Sequence, residues 1–317
     1  MSSYSLRRTA QALLVALIMS FALYNMISLL PGDPVDLMLE GNPSLTPELV
    51  AQMRKLHGVD QPVLTRYWSW LSGLAAGDMG YSNTHFKPVS DVLTPALVQT
   101  SKLMILTFVI SVSASLVLGC IAAMKPGGWA DNVISFVAFA CISSPAFWVA
   151  LIFLMVFAVK LQWVPATATA LDPSMGFMQE LRYLVLPVLT LTLFSMGQYI
   201  RYVRASMIET LNADFIRTAR AKGLGKWTVI SRHALRNALV PVVTLMALSF
   251  GSLMSGALVV ETMFGVQGMG KAIYDAVMHK DFNVAMIGVL FATLITLFAN
   301  LVADLAYGWL DPRISLK

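Results

Sequence analysis

Six long, unbroken apolar runs alternate with polar segments along the chain. They lie at about Thr9 to Leu30, Leu103 to Met124, Asn132 to Val159, Leu184 to Ile200, Ala238 to Val260 and Val284 to Asp304. A helix needs about 20 apolar residues to cross a bilayer, so each run predicts one membrane helix. Outer-membrane barrels are excluded, because their strands read as short alternating segments of about 10 residues. The third run would be about 42 Å long as a straight helix, more than the roughly 30 Å of hydrocarbon. Tilt or a bend at Pro145 is expected to absorb the excess, and two full crossings would need more residues than the run holds. The first run follows Arg7 and Arg8. No small-x-small cleavage site comes before Pro31-Gly32-Asp33-Pro34, so it is read as an uncleaved first helix.

Composition agrees with the pattern. Hydrophobic residues make up 57% of the 317 and charged residues only 12%, against about 25% charged in ordinary globular chains. A soluble fold is therefore ruled out, and the fold class is an all-α polytopic membrane protein with six transmembrane helices. Cys120 and Cys141 both fall inside apolar runs, which removes a disulfide framework or a Cys-ligated metal site.

Six crossings put both termini on one side, and the Lys/Arg distribution says which. With the N-terminus inside, thirteen of the 22 basic residues fall in the 65 inner positions and nine in the 119 outer ones. Both termini are thus expected in the cytoplasm. The net charge of +5 reports this topology, and nucleic acid is not an expected partner. The chain divides into a cytoplasmic N-terminus with the first helix (1–30) and an external region (31–102). A five-helix core (103–304) follows, with a cytoplasmic loop at 201–237 and an external loop at 261–283, then a cytoplasmic tail (305–317).

The cytoplasmic loop carries eight of the 22 basic residues and is the most informative stretch. Asn212 and Asp214 supply capping chemistry and Gly223 supplies a stop, so a short helix is predicted from Asp214 to Lys222. Ala219 and Ala221 keep it thin. Arg217 and Arg220 share one flank, and Phe215 and Ala219 another. A small basic helix at the inner membrane surface suits insertion into a partner's cleft. Basic loops of this kind also serve only to fix topology or to touch anionic lipid, and the order of residues separates the readings.

Arg217-Thr218-Ala219-Arg220-Ala221-Lys222-Gly223, followed by His233-Ala234-Leu235-Arg236-Asn237-Ala238, resembles the coupling loop of ABC importer permeases. Of the general family pattern only Ala219, Gly223 and Leu235 match; the variant spelling is similar to the branch that carries dipeptides, oligopeptides and nickel. Arg7-Arg8, Leu30-Pro31-Gly32-Asp33-Pro34, Gly77-Asp78-Met79-Gly80, Ser144-Pro145-Ala146-Phe147, Glu261-Thr262-Met263-Phe264 and Asp311-Pro312-Arg313 are similar to further landmarks of that branch. One departure is Gln267-Gly268-Met269-Gly270, where the branch usually has Pro-Gly-x-Gly.

The resemblance implies the type I importer fold and a permease subunit of an ATP-driven importer in a bacterial inner membrane. The cargo it implies is di- or oligopeptides or a related small solute; nickel, glutathione and opines remain open. It also implies a second permease subunit, usually non-identical, two cytoplasmic ATPase subunits and an external solute-binding protein. The coupling residues would be Asp214, Phe215, Arg217, Thr218, Ala219, Arg220, Ala221, Lys222, Gly223 and Leu235.

Three other chemistries fit the residues less well. Gly265 to Ala272 nearly spells a phosphate-binding loop, Gly-x4-Gly-Lys-Ser/Thr, but Ala272 lacks the hydroxyl for Mg²⁺ and an apolar helix precedes it. ATP and Mg are therefore expected on partner subunits, with no cofactor and no catalytic residue on this chain. An ion-coupled secondary carrier, the alternative, needs buried ionisable groups. Spans two to five have none, and Asp304 lies at the inner end of the sixth beside Asn300. His57, His85, His233 and His279 share no ligand spacing, so no metal site is expected. The polar residues left in the spans, Ser143, Ser144, Gln198, Ser249 and Ser252 with Thr190, Thr192 and Ser195, are candidates for a neutral translocation pathway.

Overall fold

The computed structural model describes residues 2–28, 61–169 and 175–310, of which 2–5, 27–28, 240–241, 244, 247–256 and 303–310 are described by backbone alone. The first run lies in α1 (Ser2–Ser28), and α2 (Val63–Ala75) packs against it. Tyr67 of α2 is buried, its hydroxyl 2.8 Å from that of Ser20, with Phe21 edge-on to its ring. A two-residue hairpin, β1 (Tyr81–Ser82) antiparallel to β2 (Lys87–Pro88), leads into α3 (Val89–Met124). That helix starts well before the second apolar run, because Val89, Leu93, Ala96 and Thr100 extend its buried stripe at helical spacing.

Then come α4 (Trp129–Ser143), α5 (Ala146–Phe153) with its π-helical continuation Leu154–Lys160, and α6 (Phe177–Leu211). The short α7 (Asp214–Ala221) is followed by a π-helical segment, Val229–Ala234, that runs into α8 (Leu235–Phe264). The chain closes with α9 (Met269–Met278) and α10 (Phe282–Leu310). Among the described residues four helices are long and apolar enough to cross a membrane, α1, α3, α6 and α10, and a bent pair supplies a fifth if counted once. The fifth predicted run, Ala238 to Val260, coincides with α8.

The bent pair is the third run, which bends by 104° between its two arms. Pro145 has no N–H to continue the ladder, and its ring holds Ser144 in an extended conformation at φ −84°, ψ 127°. The Ser144 hydroxyl donates to the Ala140 carbonyl at 2.8 Å, which also accepts the Ser144 amide at 3.1 Å, so two bonds close the end of α4. Pro187 lies within α6 and Pro241 within α8, and both helices run through them unbroken. Of these three prolines, only Pro145 separates two helices.

Helix α6 is the centre of the bundle, with α3, α4 and α8 around it. Its closest approaches occur at glycine. A Cβ on Gly197 would come within 2.6 Å of the Ala138 carbonyl in α4, and one on Gly119 of α3 within 2.7 Å of the Val203 side chain in α6. Such contacts let helices pack by dispersion where lipid gives no hydrophobic drive for association. Large apolar side chains remain exposed on α1, α3 and α4, among them Leu13, Ile105 and Phe136, which is the surface expected to face acyl chains.

Two polar knots pin the bundle. At its basic end, Asp131 at the start of α4 is buried and accepts Arg204 Nε at 2.5 Å and Nη2 at 2.7 Å. The Gly127 amide at 2.8 Å and the Ser135 hydroxyl at 3.2 Å complete the set. At the hairpin end, Glu261 of α8 is fully buried. Its Oε1 accepts the Thr100 hydroxyl of α3 at 2.5 Å, and its Oε2 accepts the Lys271 amide of α9 at 2.9 Å. At the same end Asp281 accepts the Ser82 hydroxyl at 2.5 Å and the Thr84 amide at 3.1 Å, tying the hairpin to the α9–α10 corner.

Both knots give measurable expectations. A Cβ at Gly268 would sit 2.2 Å from Glu261 Oε1 and 2.6 Å from Thr100 Oγ1, so Gly268→Ala should cost about 2–4 kcal/mol through overpacking and lost hydrogen bonds. Gly73→Ala, with open space around the new methyl, should be neutral or stabilising. Thermal unfolding in detergent compares them, and equal melting would refute the knot at Glu261. Arg204→Met should strand the Asp131 carboxylate and cost about 2–3 kcal/mol; adding Asp131→Asn should recover at least half. If the double variant melts no higher than the single, Asp131 does not depend on Arg204.

Candidate functional site

The loop after α6 folds as a small amphipathic unit. Ile216 and Ala219 are buried, packed with Met207, Val229 and Ala234 into the core of the basic end. Phe215, Arg217, Thr218, Arg220, Ala221 and Lys222 are exposed on the other faces. Leu235 is half-buried at the start of α8 and packs against the same core. The side chain that anchors α7 is thus Ile216, which the pairing of Phe215 with Ala219 overlooked. The apolar pair at i, i+3, Ile216 and Ala219, was the signal that could have found it.

The ends of α7 follow from short-range chemistry. Ala213 takes the N-cap position without a side-chain cap bond. Asp214 stands in the first turn, where its carboxylate meets the helix dipole and Arg217 Nη1 at 3.3 Å. The expected Asn/Asp cap is therefore absent, and an acidic first turn takes its place. The helix ends at Ala221, one residue earlier than expected. Gly223 adopts φ +77°, and the amides of Gly223 and Leu224 reach back to the carbonyls of Arg220 and Ala219, the left-handed stop that glycine permits. Beside it a cavity of about 390 Å³ opens between Met124, Leu211 and Val229, with Arg220 and Lys226 on its edge.

The polar residues of the spans separate into three groups. Thr190, Thr192 and Ser195 are buried inside the bundle, and the Thr190 hydroxyl is spent on its own helix at the Leu186 carbonyl, 2.8 Å away. Ser143 and Gln198 are exposed and Ser144 is half-buried. Ser144 borders a small cavity of about 180 Å³ at the bend, and Gln198 borders a larger one of about 480 Å³ between α4 and α6. The side chains of Ser249, Ser252 and Asp304, the Pro31 to Pro34 and Asp311 to Arg313 landmarks and His57 lie outside the described residues.

The near-phosphate loop has a different occupant. The backbone amides of Met269 and Lys271, at the start of α9, turn toward Thr100 Oγ1 and Glu261 Oε2, 2.7 and 2.9 Å away. Gly268 and Gly270 allow this approach, since a Cβ at Gly270 would fall 2.8 Å from the Leu258 backbone. The glycine spacing that cradles a phosphate elsewhere here cradles the chain's own carboxylate at a helix N-terminus. Lys271 turns away to pair with Asp275.

Comparison with known proteins agrees with this architecture. Residues 115–316 match the family described as binding-protein-dependent transport system inner membrane component, and residues 1–103 match its N-terminal companion. The dipeptide transport system permease protein of Alkalihalophilus pseudofirmus is 32% identical, over 99% of each chain. The oligopeptide transport system permease protein of Bacillus subtilis is 33% identical, over 99% of each. Among solved structures, an amino acid ABC transporter with histidines superposes with a TM-score of 0.53 at 14% identity. It covers 69% of this chain and 94% of that one, a likeness of fold. With an all-α bundle, apolar outer faces and a family match along nearly its whole length, the chain is a multi-pass membrane protein that belongs to the binding-protein-dependent permeases of ABC transport systems, a transport component and not itself a catalyst.

Proposed function

We propose that this chain is one of two non-identical permease subunits of an importer that takes up di- or oligopeptides delivered by an external solute-binding protein. Two cytoplasmic ATPase subunits drive it, binding ATP and Mg²⁺ that this chain does not hold. Both termini and α7 lie in the cytoplasm of a bacterial cell, and the hairpin, α9 and the region 31–102 face outward. The dipeptide and oligopeptide relatives support the substrate class. The observation that carries the mechanism is α7. A helix anchored by Ile216 and Ala219 and ended by Gly223 presents Arg217, Thr218, Arg220 and Lys222 outward. Because α7 follows α6, the centre of the bundle, a partner that grips α7 pulls on the helix that touches α3, α4 and α8. ATPase closure then reaches the pathway as rigid-body motion.

Uptake of labelled peptide into proteoliposomes holding all the subunits tests the whole reading, and absence of uptake at saturating loaded binding protein would refute it. Gly223 tests the coupling assignment. Nothing lies within 4 Å of a Cβ built there, so a substitution acts through backbone conformation alone. Gly223→Val should lower uptake at least fivefold in the assembled complex, whereas Gly223→Asn, whose side chain tolerates the left-handed region, should stay within about twofold of wild type. Equal behaviour of the two variants would remove the assignment.

Sidedness is tested by cysteine accessibility in a background lacking Cys120 and Cys141. His85→Cys in the hairpin should react with an impermeant reagent in intact cells, and Arg217→Cys only after permeabilisation. The reverse pattern would invert the topology.

A further inference from the structure

The cavity of about 480 Å³ between α4 and α6 is bordered by a cation that no carboxylate neutralises among the described residues. Its walls include Ser135, Phe139 and Ile142 of α4 and Gln198, Arg201 and Tyr202 of α6. Two guanidinium groups border it. That of Arg204 is neutralised by Asp131 through two hydrogen bonds. That of Arg201 has no carboxylate partner among the described residues and lies 4.8 Å above the Phe139 ring. Stacking on the ring leaves the guanidinium edge, with its fork of N–H donors, free to receive a planar anion.

From this geometry we infer that Arg201, with Gln198 beside it, binds the terminal carboxylate of the peptide in transit. The inference rests on the peptide-import reading above. Arg201 follows immediately on the fourth apolar run, Leu184 to Ile200, and the cavity it borders is otherwise lined by uncharged groups and the neutralised Arg204. One guanidinium offers a single unpaired positive charge, which a carboxylate matches in charge and in its two-oxygen geometry. Gln198 is one helical turn before Arg201, so its amide reaches the same ligand and can bond the adjoining peptide group. The volume is within the range of small-ligand sites, about 300–1,000 Å³. A carboxylate that enters this cavity is stabilised by Arg201, and on the topology proposed above it lies toward the cytoplasmic side, where occupancy precedes release. The same guanidinium edge would also suit the phosphate of an anionic lipid, and the experiment separates the two.

Equilibrium binding of labelled dialanine and of its C-terminal amide is measured on the complete permease–ATPase complex. The complex is held in nanodiscs of phosphatidylcholine without the binding protein, so that protein's own selectivity does not enter. Wild type should hold dialanine on the order of tenfold more tightly than the amide, the discrimination expected of a charged hydrogen bond. Arg201→Gln should abolish the difference by weakening dialanine alone, and Arg201→Lys should restore part of it. Gln198→Leu should weaken both peptides and keep the preference. All variants are compared as assembled complexes, and if Arg201→Gln does not assemble, Arg201→Lys and Gln198→Leu carry the comparison.

Unchanged discrimination in Arg201→Gln, or none in wild type, would overturn the site. Preference lost when phosphatidylglycerol replaces part of the neutral lipid would assign Arg201 to a headgroup instead. Uptake by wild-type proteoliposomes separates the two levels. If dialanine is imported but Arg201→Gln binds like wild type, only the site fails; if no peptide is imported, the peptide reading fails with it.

Discussion

Hydrocarbon offers a backbone amide no hydrogen-bond partner, and every feature of this bundle answers to that constraint. Each crossing segment satisfies its amides inside one helix, which frees the contacts between helices to be made by size and shape. Hence the glycines where α6 meets its neighbours. Gly197 and Gly119 bring backbones close enough for dispersion to hold them, because apolar side chains gain little by leaving lipid for protein. The constraint also explains the bend at Pro145. At the break Ser144 closes the end of α4 with both its amide and its hydroxyl on the Ala140 carbonyl.

The buried carboxylates Asp131, Glu261 and Asp281 are gathered at the two ends, where they fix geometry. Asp131 with Arg204 fastens α4 to α6 at the basic end, and Glu261 with Thr100 and Lys271 fastens α8, α3 and α9 at the hairpin end. A buried carboxylate is costly unless fully bonded, so each defines one arrangement of its helices and opposes others. The moving parts proposed for the importer act between these fixed ends. The path from α7 through α6 to the α4–α6 cavity is continuous in packed residues: Ile216 on Met207, Val203 and Tyr199 within one core, then Gln198 and Arg201 on the adjoining face. A partner that shifts α7 therefore acts on the wall of the cavity where we place the peptide carboxylate.

The glycine loop before α9 shows how a motif misleads and still informs. Its spacing suits a phosphate because closely set amides at a helix N-terminus attract any anion. Ala272, without a hydroxyl, argues against a nucleotide, and the carboxylate that those amides meet, Glu261, comes from ten residues before Lys271. Only the fold brings it back beneath those amides.

Hydropathy was enough to set the all-α class, the extent of most apolar runs and the short basic helix after α6, because the bilayer imposes a length and polarity rule that a linear chain must obey locally. Residue order in that loop and in the scattered landmarks was enough for the family, since those are short-range features. Neither disclosed which face of α7 is buried, and the side chain that anchors it proved to be Ile216. Nor did either disclose that Thr190, Thr192 and Ser195 are enclosed by neighbouring helices while Gln198 opens on a cavity, that Asp131 meets Arg204, or that Arg201 rests on Phe139. Each pairs residues tens of positions apart on different helices. Within a helix whose every face is apolar, periodicity carries almost no record of which side meets protein and which meets lipid, so helix packing had to settle it.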